Sequence, residues 1–434
     1  MKYKLKILSP LHIGCGEEYN GLSYLMDKRK KPPQISILDE DMIFNNLNDF
    51  QIKKFVTWIE NEKFPNLFYF FKNLLKDNNF SLQNQLRQKA IYTIPNYAGN
   101  EKLKNINSFI KQINRPYIPG TEIKGAVRTA ILYCLLLDNQ DLFAWLKYKL
   151  EEFKRDYARD IATVANNKKP NLRIKNNLAK SMASIESEFQ NKVLCSKPGD
   201  AKYDLMKFFQ VGDSELLEAG KSLAISYVTP FNSSGFFKIF YEYLKPETEI
   251  RLSTLSLEKG KSIKDKIDHL DFNKGQKKIV SGMDTILKYC YRFSKDLLEE
   301  ERTFFSTHGK QQIADQLIKI ADLNAPETPV LRIGKDEGYN SLTIGLAVKK
   351  LDKNIYENIL IHATKNKSYD SGHGGPMPKT RKIVHWNNEE TTAGWVQLIP
   401  EKYSDGQVIK KTKPATPADL SMLAGKFNVR SKKK

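Results

Sequence analysis

The chain has 434 residues, of which 70 are Lys or Arg and 50 are Asp or Glu, a formal charge of +20 at pH 7. An excess of that size points to a polyanionic partner, and the cations recur along the chain, in 2–31, 147–180, 372–386 and from 401 onward. A membrane is excluded as that partner's site of insertion: the longest purely apolar run, Ile131–Leu137, is far below the roughly 20 residues of a span. Lysine at every second position of Met1-Lys-Tyr-Lys-Leu-Lys-Ile7 argues against a secretory signal. Four scattered cysteines, Cys15, Cys134, Cys195 and Cys290, have no metal-ligand spacing and suit free thiols in a reducing cytoplasm.

Lys2–Leu8 alternates strictly, with Tyr3, Leu5 and Ile7 on one face and lysines on the other, the period of a half-buried strand. Pro10 ends it, and Gly14 and Gly16 predict a tight turn within Leu11–Glu18. A second strand is expected over Leu22–Met26. From Asp39 to Leu75 the apolar spacing becomes helical, and its aromatic residues read as core.

In Tyr117-Ile-Pro-Gly-Thr-Glu-Ile-Lys-Gly-Ala-Val-Arg128, Pro119 and Gly120 stop the preceding segment and Thr121 is placed to cap a helix. Ile123, Val127, Ala130, Ile131, Cys134 and Leu135 form its buried face. Lys124 and Arg128 fall four apart on another face, in the first two turns, where free N–H groups and the helix dipole favour an anion. Gly125 is expected to let another backbone approach.

Asp141–Val164 continues as an amphipathic helix, broken by Asn166-Asn-Lys-Lys-Pro-Asn171. From there to Asp200 the sequence is polar and poorly periodic, which sets a domain boundary near residue 200. Strands are expected over Leu205–Val211, Ser222–Val228, Phe236–Leu244 and Glu249–Leu257, helix over Ile263–Asp322, then strands over Val330–Ile333 and Ser341–Val348. A basic tail, 410–434, contains Pro414 and Pro417 and is expected to be disordered. The class is α+β, and two ferredoxin-like domains with helical insertions, 1–200 and 201–409, fit the pattern.

Three pieces, Leu8-Ser-Pro-Leu-His-Ile-Gly-Cys-Gly-Glu17, Pro116–Arg128 and Leu331-Arg-Ile-Gly334, together resemble the RAMP superfamily of CRISPR proteins. Gln210-Val-Gly-Asp-Ser214 and Pro376-Met-Pro-Lys-Thr-Arg-Lys382 agree, and the latter, with the length, is similar to the head-capping subunits of type III-A Csm effector complexes. The resemblance implies two RAMP (RRM-like) domains that bind the 3′ part of a guide RNA (crRNA) and dock on the last backbone and small subunits. It also implies a part in crRNA maturation and RNA-guided antiviral interference, with no catalytic role in target cleavage and no cofactor. Host nucleases that trim the guide's 3′ end are a further partner class it suggests, which no residue here specifies.

The RNA-binding candidates are accordingly His12, Gly14, Gly16, Gly120, Thr121, Lys124, Gly125, Arg128, Gly334, Lys335, Gly338, Tyr339, Lys379, Arg381 and Lys382. The Gly334–Tyr339 loop departs from the family in carrying Asp336 and Glu337, two carboxylates that would repel a nearby phosphate. Gly120 and Gly125 have the spacing of P-loop glycines, but Ala126 and Val127 stand where NTP chemistry needs Lys and Ser or Thr. Two alternatives stay open. One is a metal-independent endoribonuclease using His12 or His373, since a near-neutral imidazole suits acid–base work. The other is a scaffold whose charge serves solubility. No assembled active site and no metal-ligand set is legible in the sequence.

Overall fold

The computed structural model describes residues 2–99, 101, 103–166, 171–231, 237–258, 267–360 and 381–401. Strand β1 (Lys2–Ile7) has the alternation its sequence demands, with Tyr3, Leu5 and Ile7 buried. On its other face, Lys4 and Lys6 pair with Glu249 and Glu247, each at 2.6 Å.

Two further strands enter the larger sheet, β2 (Gly14–Tyr19) and β3 (Ile106–Phe109), followed by β4 (Leu223–Phe231) and β5 (Ile239–Leu244). After β6 (Glu249–Arg251) and β7 (Val330–Arg332) come β8 (Arg381–Trp386), β9 (Glu389–Thr391) and β10 (Trp395–Glu401). One sheet runs β6-β1-β10-β7, all antiparallel. The other runs β9-β8-β4-β5-β3-β2, with only β5 and β3 parallel. Both sheets join strands from before and after residue 200. The class is α+β, consistent with ferredoxin-like units bearing helical insertions, and the chain between Glu40 and Gln88 supplies one such insertion. Its aromatic residues do form a core of their own, in which the Phe55 and Phe70 rings lie 4.9 Å apart.

The Gly120–Asp138 helix buries Ile123, Val127, Ala130, Ile131 and Cys134, and Leu135 is partly buried. It lies along the Met283–Thr307 helix, where the Tyr133 ring packs tilted against that of Phe293, 4.9 Å between centroids, and its hydroxyl donates to Asp296 at 2.7 Å. Its start differs from expectation: Pro119 holds the N-cap position, and Thr121 already lies inside the helix. The Gly120 N–H donates instead to Asp213 Oδ1 at 2.8 Å, and the Ile118 N–H to Ser214 Oγ at 2.8 Å. The Gln210–Ser214 motif therefore caps this helix from a distant point in the chain. Gly120 is the residue that admits a close backbone, since a Cβ there would lie 2.6 Å from the Val211 carbonyl. At Gly125 nothing lies within 4 Å, so the expected backbone contact is absent.

Other expectations are overturned. Gly14–Tyr19 is a strand with a register shift, Gly16 taking φ of +89° within it, and not a tight turn. Leu172–Leu194 forms a helix of 23 residues in the stretch read as irregular, anchored by buried Leu178, Phe189, Val193 and Leu194. Leu205–Phe208 is a 3-10 turn before a short strand, Phe209–Val211. Tyr339–Leu342 and Gly345–Leu351 are helical where a strand was expected. Among the described residues no helix is long and apolar enough to cross a membrane. Lys379, His373 and the segment 410–434 lie outside the described residues.

Candidate nucleic-acid interface

The turn after β7 is held by backbone contacts that leave no room for a side chain. Gly334 has φ of +85°, and a Cβ on it would lie 2.5 Å from the His12 carbonyl. The Lys335 N–H donates to that carbonyl at 2.8 Å. From the other side, the Gly334 N–H donates to the carboxylate of Glu122 in the Gly120–Asp138 helix. The three signature pieces thus meet at Gly334.

Two cavities open around this junction. The larger, of about 380 Å³, is lined by Gly334, Lys335, Asp336, Glu337, Gly338, Tyr339 and Asn340 of the loop, by Arg332, Glu301 and Leu342, and by Pro230, Arg381 and Lys382. The smaller, of about 200 Å³, is lined by Thr121, Glu122, Gly125, Ala126 and Thr129 of the helix together with Arg332, Ile333 and Ser341. Glu337, Arg332 and Leu342 line both. Eight of the candidates, Thr121, Gly125, Gly334, Lys335, Gly338, Tyr339, Arg381 and Lys382, therefore line one or other of two adjoining cavities, together called the recess below.

The floor is ionic. Glu301 is 2% exposed and receives Arg332 at 3.1 Å through one oxygen and Arg381 at 2.7 Å through the other. Arg332 lies 4.9 Å from the Trp395 ring and Arg381 4.1 Å from that of Phe304, so both guanidinium planes are also covered by aromatic faces. At the rim, Lys335 is exposed, and the half-buried Lys382 lies 5.1 Å over the Phe237 ring.

Burial pushes the Glu337 carboxyl up to about 8, against the pull of Arg332 and with help from Glu122. Asp336 is raised too, again by burial, with Lys382 and Lys335 opposing. Glu337 is accordingly largely uncharged at neutral pH, which lessens the repulsion of a phosphate expected from the sequence. A carboxyl whose pKa rises on folding binds protons more tightly in the native state. Its contribution to stability is full below the ordinary 4.5 and is lost as pH climbs to about 8. Glu337→Gln is expected to flatten the fall of the thermal midpoint across that window; parallel slopes for variant and wild type would refute it.

The remaining candidates lie elsewhere. Lys124 and Arg128 line neither cavity: the stripe facing the recess is Thr121, Gly125 and Thr129, one residue round the helix. Arg128 pairs with Asp204 at 3.0 Å, and burial together with Arg128 lowers the Lys124 pKa. Gly16 is exposed on β2, and Gly120 is buried against Val211 and Gly212.

His12 is 2% exposed, its Nδ1–H donating to the Glu242 carbonyl at 2.7 Å and its ring 4.4 Å from that of Tyr241. Burial pulls its pKa down to about 4, which Lys111 and Lys335 reinforce. An imidazole kept neutral and shut off from water is unsuited to acid–base work on RNA, and its contribution to the recess is through its carbonyl. Among the described residues no group of His, Cys, Asp and Glu could hold a metal. Sequence reasoning missed Glu122, Glu301, Arg332 and Asn340. Arg332 sat inside a quoted motif, but a lone arginine in a short apolar strand gives no sign of its partner.

Comparison with known proteins adds the lineage. The model of the RAMP superfamily matches residues 4–337. A protein of Methanocaldococcus jannaschii described as CRISPR system Cms protein Csm5 is 22% identical over 370 residues, 82% of this chain and 75% of that one. Its namesake from Streptococcus thermophilus is 27% identical over 147 residues, 30% of this chain and 37% of that one. Among solved structures, the crystal structure of T. onnurineus Csm5 superposes with a TM-score of 0.63 at 21% identity, covering 91% of this chain and 99% of that one. A chain of the cryo-EM structure of a Csm-crRNA-target RNA ternary complex from a type III-A CRISPR-Cas system gives 0.57 at 22%, covering 92% and 100%.

Proposed function

Since the chain belongs to the RAMP superfamily, we propose that it is a guide-RNA-binding subunit of a type III-A Csm effector complex. In this reading it caps the head at the 3′ end of the crRNA, docks on backbone and small subunits, supports crRNA maturation and interference, and cuts nothing itself. The observation that carries the reading is the convergence of the helix stripe Thr121–Gly125, the loop Gly334–Tyr339 and the pair Arg381–Lys382 on one recess with cations at its rim. The similarity to Csm5 proteins along most of the chain supports it. The division into 1–200, 201–409 and a basic tail belongs to the same reading, with strands exchanged across residue 200.

Phosphates of a single strand are the natural ligands of the rim, with Lys335 and Lys382 as the main contacts and Lys124 and Arg128 as flanking ones. Binding measured by fluorescence anisotropy over a salt series in EDTA tests this. Replacing both Lys335 and Lys382 by alanine is expected to weaken binding about tenfold or more and to reduce the salt slope by about 1.4, the value for two phosphates of a single strand. The Lys124→Ala, Arg128→Ala pair is expected to have the smaller effect, because Arg128 must leave Asp204 to reach a phosphate. Unchanged affinity and slope in both pairs would sink the assignment, and RNA cut in EDTA would favour a nuclease instead.

A further inference from the structure

Glu337 is 8% exposed and lines both cavities, yet its side chain makes no hydrogen bond and no ion pair among the described residues. Its oxygens are not sealed from solvent, so they face the cavity space. The groups that could have answered an ionised carboxylate are taken: Arg332 donates to Glu301 and to the Ala393 carbonyl, Arg381 to Glu301, and the Gly334 N–H to Glu122. A buried carboxylate left without a partner is costly. The carboxyl keeps its proton instead, burial and Glu122 raising its pKa to about 8 against the pull of Arg332. It therefore carries one O–H donor that no described residue accepts.

We propose that Glu337 holds RNA as an acid, donating its O–H to a non-bridging phosphate oxygen of the strand whose neighbouring phosphates Lys335 and Lys382 grip; the inference rests on the RNA-binding reading above. A phosphodiester can only accept, which a neutral carboxyl matches and a carboxylate opposes. The proton decides between attraction and repulsion. The larger cavity, of about 380 Å³, has room for a phosphodiester, and Lys335 and Lys382 supply the field that draws one in. Enzyme oxyanion holes use the same donor, a carboxylic acid kept neutral by its surroundings. Charged groups face Glu337 from every side: Lys335 and Asp336 of its own loop, Glu122 of the Gly120–Asp138 helix, Arg332 of β7, Glu301 of the Met283–Thr307 helix, and Arg381 and Lys382 of β8. Burial raises Asp336 and Glu122 as well, so each needs its own control.

Fluorescence anisotropy of the full chain on single-stranded RNA tests this, at fixed salt from pH 6.5 to 9 and at a temperature where every variant is folded. A bound phosphate favours the protonated carboxyl, so binding takes up a proton wherever the free chain has lost one. Wild type is accordingly expected to hold its affinity to about pH 7.5 and to lose about tenfold by pH 9. Glu337→Gln keeps a neutral donor and is expected to match wild type at pH 6.5, with no fall. Glu337→Leu has no donor and is expected to be about tenfold weaker at pH 6.5, again with no fall. If Glu337→Leu instead equals wild type at pH 6.5, the carboxyl only repels and the proposal is overturned. Asp336→Asn and Glu122→Gln are expected to keep a fall, and its loss in either would assign the effect to that residue and refute the proposal. A strand with fluorine in place of every 2′-hydroxyl is expected to show the same fall. A fall lost with the hydroxyls would make a 2′-hydroxyl the acceptor and refute the phosphate contact. Salt-dependent binding that is flat in pH for wild type overturns this inference alone. Absence of RNA binding at every pH overturns the RNA-binding reading with it.

Discussion

Glu301→Ala is expected to lower the unfolding free energy by about 3–5 kcal/mol, the usual loss when one partner of a buried ion pair is removed. Two guanidinium groups depend on this carboxylate, Arg332 and Arg381, each about 95% buried. Each also has a partner that survives the substitution, since Arg332 donates to the Ala393 carbonyl at 3.1 Å and both lie over aromatic rings. For Arg332 those contacts cannot replace the carboxylate as counter-charge. Desolvating a cation without one is the costly step, so water is expected to enter the recess and the loop above to loosen. Urea titration of wild type and variant measures the loss. A variant with Glu301, Arg332 and Arg381 all changed to methionine is expected to be more stable than Glu301→Ala, because no buried charge is left over. A midpoint for Glu301→Ala within error of wild type would mean that the cluster is solvated in solution.

Glu242→Ala is the second large effect, of similar size but with a different functional signature. Its carboxylate, fully buried on β5, accepts from Tyr92 Oη at 2.8 Å, the Phe109 N–H at 2.9 Å and Lys111 Nζ at 2.5 Å. Removal takes the counter-charge from Lys111, which keeps Ser108 Oγ at 2.8 Å, and the acceptor from the Phe109 N–H, while Tyr92 Oη keeps Tyr19 Oη at 2.9 Å; an unsatisfied buried amide alone adds about 1–3 kcal/mol before relaxation. The total is expected to be about 3–5 kcal/mol. Lys111→Met introduced with Glu242→Gln should recover part of it. The two glutamates separate fold from site. RNA affinity of the folded fraction is expected to drop for Glu301→Ala, whose partners line the recess, and to hold for Glu242→Ala, whose partners do not. An equal drop in both would show that the recess responds to any loosening of the sheets.

What could be read from the sequence followed the strength of local periodicity. β1 and the Gly120–Asp138 helix were legible because each buries one face against a continuous core, so apolar residues recur with the period of the element. Leu172–Leu194 was missed because its buried residues are widely spaced among Lys, Asn, Ser and Glu, and its solvated face dominates the pattern. Gly14–Tyr19 lies at a sheet edge with its residues exposed, so no alternation marks it as a strand and its glycines suggest a turn. The site was half legible for the same reason. Glycines and surface cations announce themselves, but the protonation of Glu337 depends on burial, and the partnership of Glu301 with Arg332 and Arg381 spans 31 and 80 residues. Lys124 and Arg128 stood out by spacing, and spacing does not reveal that Asp204 already answers one of them.

The pairing of β1 with β10 has a consequence for how the protein is made. Ser9 Oγ accepts from the Trp395 N–H, a contact between residues 386 apart, and β1 lies hydrogen-bonded between β6 and β10. At ordinary elongation rates, about 20–80 s separate the emergence of these two strands from the ribosome. Throughout that interval β1 has a free edge, the kind of surface that recruits other chains. Its three lysines, Lys2, Lys4 and Lys6, are of the residue type that blunts an open edge, so they are placed to disfavour pairing between nascent chains until the partner strand arrives.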